Sequence, residues 1–204
     1  MVDLNNMPYQ PLTTYLTQKA GMRLEEVEHV MPLVTAGNYK KGDLLLREGE
    51  VCDASIFVEK GLLRTYTLDE AGKEHIVQFA PENWFTGDRG SIYFSDPAYF
   101  FIEAVEDSEV VFVPDAAIDK ASDLSAAFRQ YNKTLLHNHI RNLQKRINLL
   151  LGATAEQRYL SFITQYPDLL LRVPQWMIAS YLGITPESLS RVRKELADKN
   201  FKPS

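Results

Sequence analysis

The segment from Pro174 to Leu196 admits few folds. Ile178 and Leu182 lie four residues apart, on one face of a first helix, and Ala179 is small enough to let a second helix approach closely. Gly183 follows, where a tight turn needs a left-handed backbone, and Ile184 can plug the turn into a core. Thr185 suits an N-cap, Pro186 the first helical position and Glu187 the positive helix end. Leu189, Val192 and Leu196, three and four apart, then form the buried stripe of a second helix. The pattern predicts a helix-turn-helix. Its outer face carries Glu187, Ser188, Ser190, Arg191 and Lys194, with Thr185 at the helix start, and these six are the candidate DNA contacts. Arginine can donate two hydrogen bonds to guanine, and glutamate can accept one from cytosine. Periodicity alone fits a solvated helical hairpin equally well; the joint occurrence of alanine, glycine, cap, proline and stripe favours DNA reading.

Charge is distributed accordingly. The net charge of −5 opposes DNA binding only superficially. Residues 153–204 hold seven Lys/Arg against five Asp/Glu, whereas residues 1–152 hold fifteen against twenty-two. An acidic body with a mildly basic end suits a regulator carrying a small DNA-binding module. So small an excess requires a dimer or strong base contacts for affinity. No apolar run is long enough to span a membrane, and Met1–Gln10 lacks the basic start and apolar block of a secretory signal, so the expected compartment is the cytoplasm. The lone Cys52 excludes an internal disulfide and a cysteine-ligated cluster within one chain.

Upstream, residues 11–36 have near-helical spacing and predict one or two short helices. From about Tyr39 the period becomes two. Leu62, Arg64, Tyr66 and Leu68 line one strand face, Asp69-Glu70-Ala71-Gly72 turns, and His75 to Phe79 returns. Strand-like runs follow at Tyr99–Val105 and Glu109–Val113, so the region predicts a compact barrel or jelly roll. Beyond Asp119 the helical period resumes. Leu124, Phe128, Tyr131 and Leu135 form one stripe, and Leu136, Ile140, Leu143, Ile147 and Leu150 continue it one step around the helix. Part of so long a stripe must pack on its own barrel, and the rest predicts a homodimer through residues 124–150. Gly152-Ala153-Thr154 breaks the helix before a further one at Ala155–Gln165. The expected domains are therefore a sensor at 1–120, a dimerisation helix at 121–152 and a helix-turn-helix domain at 153–204, an α+β chain.

In that order of parts the chain resembles, over almost its whole length, the cyclic-AMP receptor protein and fumarate–nitrate regulator (Crp/Fnr) family of bacterial transcription factors. The residues that carry the resemblance are Lys41-Gly42-Asp43, Arg47-Glu48-Gly49-Glu50, Phe57 to Arg64, Gly87-Asp88, Ala155-Glu156-Gln157-Arg158-Tyr159, and Glu187 with Arg191 at the base-reading positions. The resemblance implies a cyclic-nucleotide-binding-like β-roll, RNA polymerase as a further candidate partner, and an effector pocket around Gly87, Asp88, Arg89, Tyr99, Phe101, Leu143 and Gln144. It also exposes two departures. Ala98 stands where cyclic-AMP-binding members place a phosphate-pairing arginine, and Leu143 and Gln144 stand where a Thr-Ser pair meets adenine. A buried phosphate needs a fixed cationic or amide cradle, so a different, unidentified small molecule, or none, is expected, not cyclic AMP. Arg89 could supply a cation, or be an exposed or Asp88-paired surface arginine. Trp84, Phe85, Tyr93, Tyr99 and Phe101 could line or fill the pocket. The second departure is at Phe201-Lys202-Pro203-Ser204, too short for the two-stranded wing usual in the family, so the wing is expected to be truncated or absent.

Other chemistries find little support. His137 and His139, two apart on a helix, cannot share a metal, and His75 stands alone on the strands, so no metal site is expected. Without a cysteine cluster, the iron–sulfur sensing of some relatives is not expected either. Ser188 and Ser190 have no histidine or aspartate partner nearby in sequence, so the chain is read as a non-enzyme. Cys52 reads as structural, not as a redox switch. The rival to a DNA-binding regulator is a ligand-sensing or protein-interaction module that no longer touches DNA.

Overall fold

Alternation along the strand Ala54–Lys60 (β3) sends Ile56 and Val58 to one side and Phe57 to the other, and both sides are buried. A strand buried on both faces must be covered twice, and the computed structural model, which describes residues 7–200, shows how. Eight strands form two antiparallel four-stranded sheets. The first has the order β1 (Thr35–Tyr39), β8 (Ser108–Pro114), β3, β6 (Phe85–Thr86). The second has the order β2 (Leu44–Leu46), β7 (Phe101–Ala104), β4 (Leu63–Leu68), β5 (Glu74–Ala80). Ile56 pairs with Phe112 and Val58 with Val110 across β3 and β8, while Arg64 pairs with Glu103 across β4 and β7. The non-consecutive strand orders are those of a roll, as the sequence periods predict. At the β3–β4 turn Gly61 has φ 94°, and an added Cβ would meet the Asp107 carbonyl oxygen at 2.6 Å, so only glycine fits.

Between the sheets lies an apolar core of Leu46, Ile56, Val58, Leu63, Ile102 and Val110. The outer face of the first sheet is covered by the N-terminal segment. That segment comprises a short helix α1 (Gln10–Thr14) continuing as a wide π turn (Tyr15–Lys19), then α2 (Leu24–Glu28) and a 3-10 turn (Met31–Leu33). Phe57, Val111 and Val113 pack there against Leu12, Tyr15, Leu16, Val27 and Phe128. Each fully buried aliphatic or aromatic side chain contributes about 1.5–3 kcal/mol relative to exposure.

Helix α3 (Arg89–Phe94) follows β6, and α4 (Asp115–Leu124) follows β8. Ser125, in an extended conformation, separates α4 from the 27-residue α5 (Ala126–Gly152). Leu124, expected to begin the long stripe, thus belongs to the preceding helix. The remaining helices are α6 (Ala155–Gln165), α7 (Leu169–Arg172), α8 (Gln175–Leu182) and α9 (Pro186–Asn200). The Thr154 hydroxyl accepts from the Gln157 backbone N–H and the Gln157 side chain accepts from the Thr154 N–H, a capping box that starts α6 where the sequence break predicts. Two compact units result. One holds the chain up to Thr67 with Val77–His137, and the other holds Leu68–Ile76 with Asn138–Ser204. The division falls within α5, at 137/138, whereas the sequence break lies at 152. Residues 201–204, on which the wing expectation rests, lie outside the described residues.

Candidate nucleic-acid interface and effector site

In the C-terminal unit, α8 ends at Gly183 with φ 67°, ψ 36°, the left-handed turn the sequence requires. The Ser188 N–H donates to the Thr185 hydroxyl at 3.2 Å, so Thr185 is engaged as the N-cap of α9. Leu189 and Val192 are buried and Leu196 is half-buried, which fixes the rotation of α9. Glu187, Ser190, Arg191 and Lys194 are exposed, as is Arg193, which the sequence reading omits; Ser188 is half-buried beside its cap. Hydrogen bonds from its own N–H and from the Thr185 hydroxyl hold the Glu187 carboxyl below the usual carboxylate range, so it is an acceptor at neutral pH. Lys199 is paired with Glu156 at 2.8 Å.

The first helix of the pair is held from behind by groups the sequence does not mark. Arg146 of α5 donates to the carbonyls of Ile76 (3.2 Å) and Tyr181 (2.9 Å) and stacks its guanidinium 3.7 Å from the Tyr181 ring centroid. The Ser180 hydroxyl donates to the Glu74 carbonyl (2.8 Å) and accepts from the Ile76 N–H (3.0 Å). The β4–β5 hairpin tip, α5 and α8 thus share one hydrogen-bonded junction. These partners are more than a hundred residues apart across Ser180, so no local period could reveal them.

In the N-terminal unit, Asp88 is buried and fully engaged. Its Oδ1 accepts from the Ser91 N–H at 3.1 Å, capping α3, and its Oδ2 accepts from the Tyr99 N–H at 2.7 Å. Arg89 is exposed, with its guanidinium 4.9 Å from the Tyr93 ring centroid, and so is not paired with Asp88. Tyr93 and Tyr99 are exposed, Trp84 and Phe85 are half-buried, and Phe101 stacks on Tyr66 at 5.2 Å and 14°. The five aromatics therefore do not form one pocket lining. Ala98 is buried in the inter-sheet core, where its N–H donates to the Glu50 carbonyl at 2.7 Å. Leu143 and Gln144 are exposed on the part of α5 that belongs to the other unit. Cys52 is buried, and burial pushes its thiol up, away from the reactive thiolate. Among the described residues no group of three or more His, Cys, Asp or Glu is placed to hold a metal, and no helix is long and apolar enough to cross a membrane.

Along α5 the apolar stripe changes character. Phe128 is buried and Tyr131 half-buried in the N-terminal unit, but Leu135, Leu136, Ile140, Leu143, Ile147, Leu150 and Leu151 are exposed by 37–83%. So continuous a row of exposed aliphatics on one helix is what a dimer seam requires.

Comparison with known proteins agrees with this geometry. The cyclic nucleotide-binding domain family matches residues 37–123. The anaerobic regulatory protein of Pasteurella multocida is 28% identical over 164 residues, which span 75% of this chain and 59% of that protein, less than two thirds of its length. The transcriptional activator protein Anr of Pseudomonas protegens is 26% identical over 184 residues, 84% of this chain and 75% of that protein. The solved structure of FixK2 from Bradyrhizobium japonicum shares the fold with a TM-score of 0.70 at 21% identity, covering 84% of this chain and 89% of that one.

Proposed function

We propose that the chain is a homodimeric, DNA-binding transcription regulator of the Crp/Fnr family and not an enzyme. The observation that carries this reading is α9. It is capped by Thr185, rotated by its buried Leu189 and Val192, and presents Glu187, Ser190, Arg191 and Lys194 to solvent as the second helix of a helix-turn-helix. That is the residue chemistry and the element that enters a major groove. The exposed aliphatic row from Leu135 to Leu151 would close on its copy in a second chain and present two reading helices. Two such helices address half-sites about 34 Å apart. RNA polymerase is the partner through which such binding would act, in the cytoplasm. An effector other than cyclic AMP, with no resident cofactor, would act through the N-terminal unit, since Ala98 offers no cation to a cyclic phosphate.

Selection of bound sequences from random DNA tests the proposal, with a two-fold symmetric site as the expected product. On that site Arg191→Ala should cost about 1–3 kcal/mol by fluorescence anisotropy and relax preference at one base position. Affinity should also fall steeply with salt. An unchanged affinity and preference for Arg191→Ala would remove α9 as the reader. Absence of DNA retention at low salt would favour a module that no longer touches DNA.

A further inference from the structure

Beneath the N-terminal segment, on the outer face of the first sheet, lies a cavity of about 80 Å³. It lies across that sheet from the inter-sheet core that holds Ala98, and it shares Arg89 with the residues around which the resemblance places an effector. Its walls are apolar, including Leu16, Val34, Val113, Ala121 and Phe128. Its polar groups are few: the Tyr15, Tyr93 and Tyr131 phenols, Ser55, Asn132 and the Arg89 guanidinium. Among all lining residues there is one cation and no carboxylate.

The geometry points to this cavity as a binding site for a short-chain monocarboxylate, its tail among the apolar walls and its carboxylate on Arg89. Three observations converge. First, Arg89 is exposed, and among the described residues its one recorded partner is the Tyr93 ring; the adjacent Asp88 carboxylate is spent on the Ser91 and Tyr99 N–H groups. A guanidinium beside an apolar cavity with no acidic wall selects an anion with an apolar body. Second, the volume fits a small tail. Liquid water takes about 30 Å³ per molecule, so the cavity accommodates roughly three or four carbon atoms. Third, the polar wall is neutral and organised. The Tyr131 hydroxyl donates to the Tyr15 hydroxyl at 2.6 Å, which leaves the Tyr15 proton as the one that this pair can offer to a carboxylate without adding charge.

The site bridges parts of the chain that a regulator would need to couple. Tyr15 comes from the N-terminal segment, Arg89 from α3, and Phe128, Tyr131, Asn132 and Leu135 from α5. A tail entering there would bear directly on the Tyr15–Tyr131 bond, and thus on the helix that continues to Gly152. This inference rests on reading the N-terminal unit as the sensing half of a regulator, and it deepens that reading by naming the ligand class.

Isothermal calorimetry on the whole protein, with sodium pentanoate and no DNA present, tests it. Saturable binding at one site per chain is expected, with pentanol weaker and pentylamine and decanoate not bound. Arg89→Gln should weaken pentanoate binding roughly tenfold or more, the worth of a charge-assisted hydrogen bond, while leaving pentanol unchanged. Ala121→Phe should abolish binding of both by filling the cavity; if that variant loses its thermal transition, Arg89→Gln, altered at an exposed side chain, decides alone. No saturable heat in the millimolar range, or pentanoate binding indifferent to Arg89→Gln, overturns the assignment. Because no DNA is used, failure here leaves the DNA-binding proposal standing, and failure of DNA binding leaves this result standing.

Discussion

The two faces of the first sheet are both buried, yet they are built differently. Between the sheets, Ile56 and Val58 of β3 pack with Ile102 and Ala104 of β7 and with Ala98 of the loop before it. On the outside, Phe57, Val111 and Val113 meet side chains from the N-terminal segment, α4 and α5. Aromatic edges dominate there: Tyr15 lies 5.5 Å from both Phe57 and Phe85 and 5.9 Å from Tyr131, and Phe57 lies 4.9 Å from Phe85. The cavity sits on that side, with Tyr15, Phe85, Phe128 and Tyr131 among its walls. The inner face is closed by Ala98, the position at which the resemblance expects a phosphate-binding arginine. Apolar side chains thus fill one face of the sheet, while space with a cation at its edge exists on the other.

Four measurements sharpen or break this contrast, in order of effect. Phe57→Ala should cost about 3–5 kcal/mol in denaturant unfolding of the N-terminal unit, near the top of the range for core truncations, because the surrounding rings cannot collapse together. If it costs clearly less than Ile56→Ala, the rings of the outer face do collapse into the space it leaves. The same substitution placed on the two faces should then differ in outcome. Ala104→Val, between the sheets, should cost about 1–3 kcal/mol by overpacking. Ala121→Val, beside the cavity, should stay within about 1 kcal/mol of the parent, with the lower helix propensity of valine offset by filled space. Equal costs would mean that the outer space is unavailable to added atoms. Tyr131→Phe should cost about 0.5–1.5 kcal/mol by removing the donor to Tyr15.

The smallest effect is on pH dependence. Burial, and then the bond from Tyr131, push the Tyr15 phenol above its ordinary value of 10.0. A raised value in the folded state means that the native protein keeps this proton after the unfolded chain has released it. Stability should therefore decline as pH climbs above about 10. Tyr15→Phe should flatten that decline in alkaline unfolding curves; an unchanged slope would place the Tyr15 hydroxyl in water.

Legibility followed the range of the interactions. The helix-turn-helix could be read nearly to the residue because its determinants are local: Gly183 supplies the left-handed turn, Thr185 the cap, and Leu189 and Val192 the stripe. The break at Gly152 and the capping box at Thr154 were legible for the same reason. The roll was legible as alternating strands, although its strand order is set by pairings between distant segments. Arg89 and the aromatics near it were visible as types, but not their exposure. Tyr93 faces solvent from the uncovered side of the short α3, and Tyr99 faces it from the loop before β7.

By itself the sequence determined the element types, the second helix of the helix-turn-helix and its polar face, and the long aliphatic stripe, all consequences of spacing within one or two turns or strands. Only the tertiary structure decided that the stripe is spent internally at Phe128 and Tyr131 but open from Leu135 onward, that Ala98 seals the inter-sheet core, and that Ser180 and Arg146 tie the hairpin tip to α8. It also decided that Tyr15, Arg89 and Tyr131 border one cavity. Those facts depend on which distant segments share a surface. Burial and hydrogen-bond satisfaction are settled across the whole chain, so no local period records them.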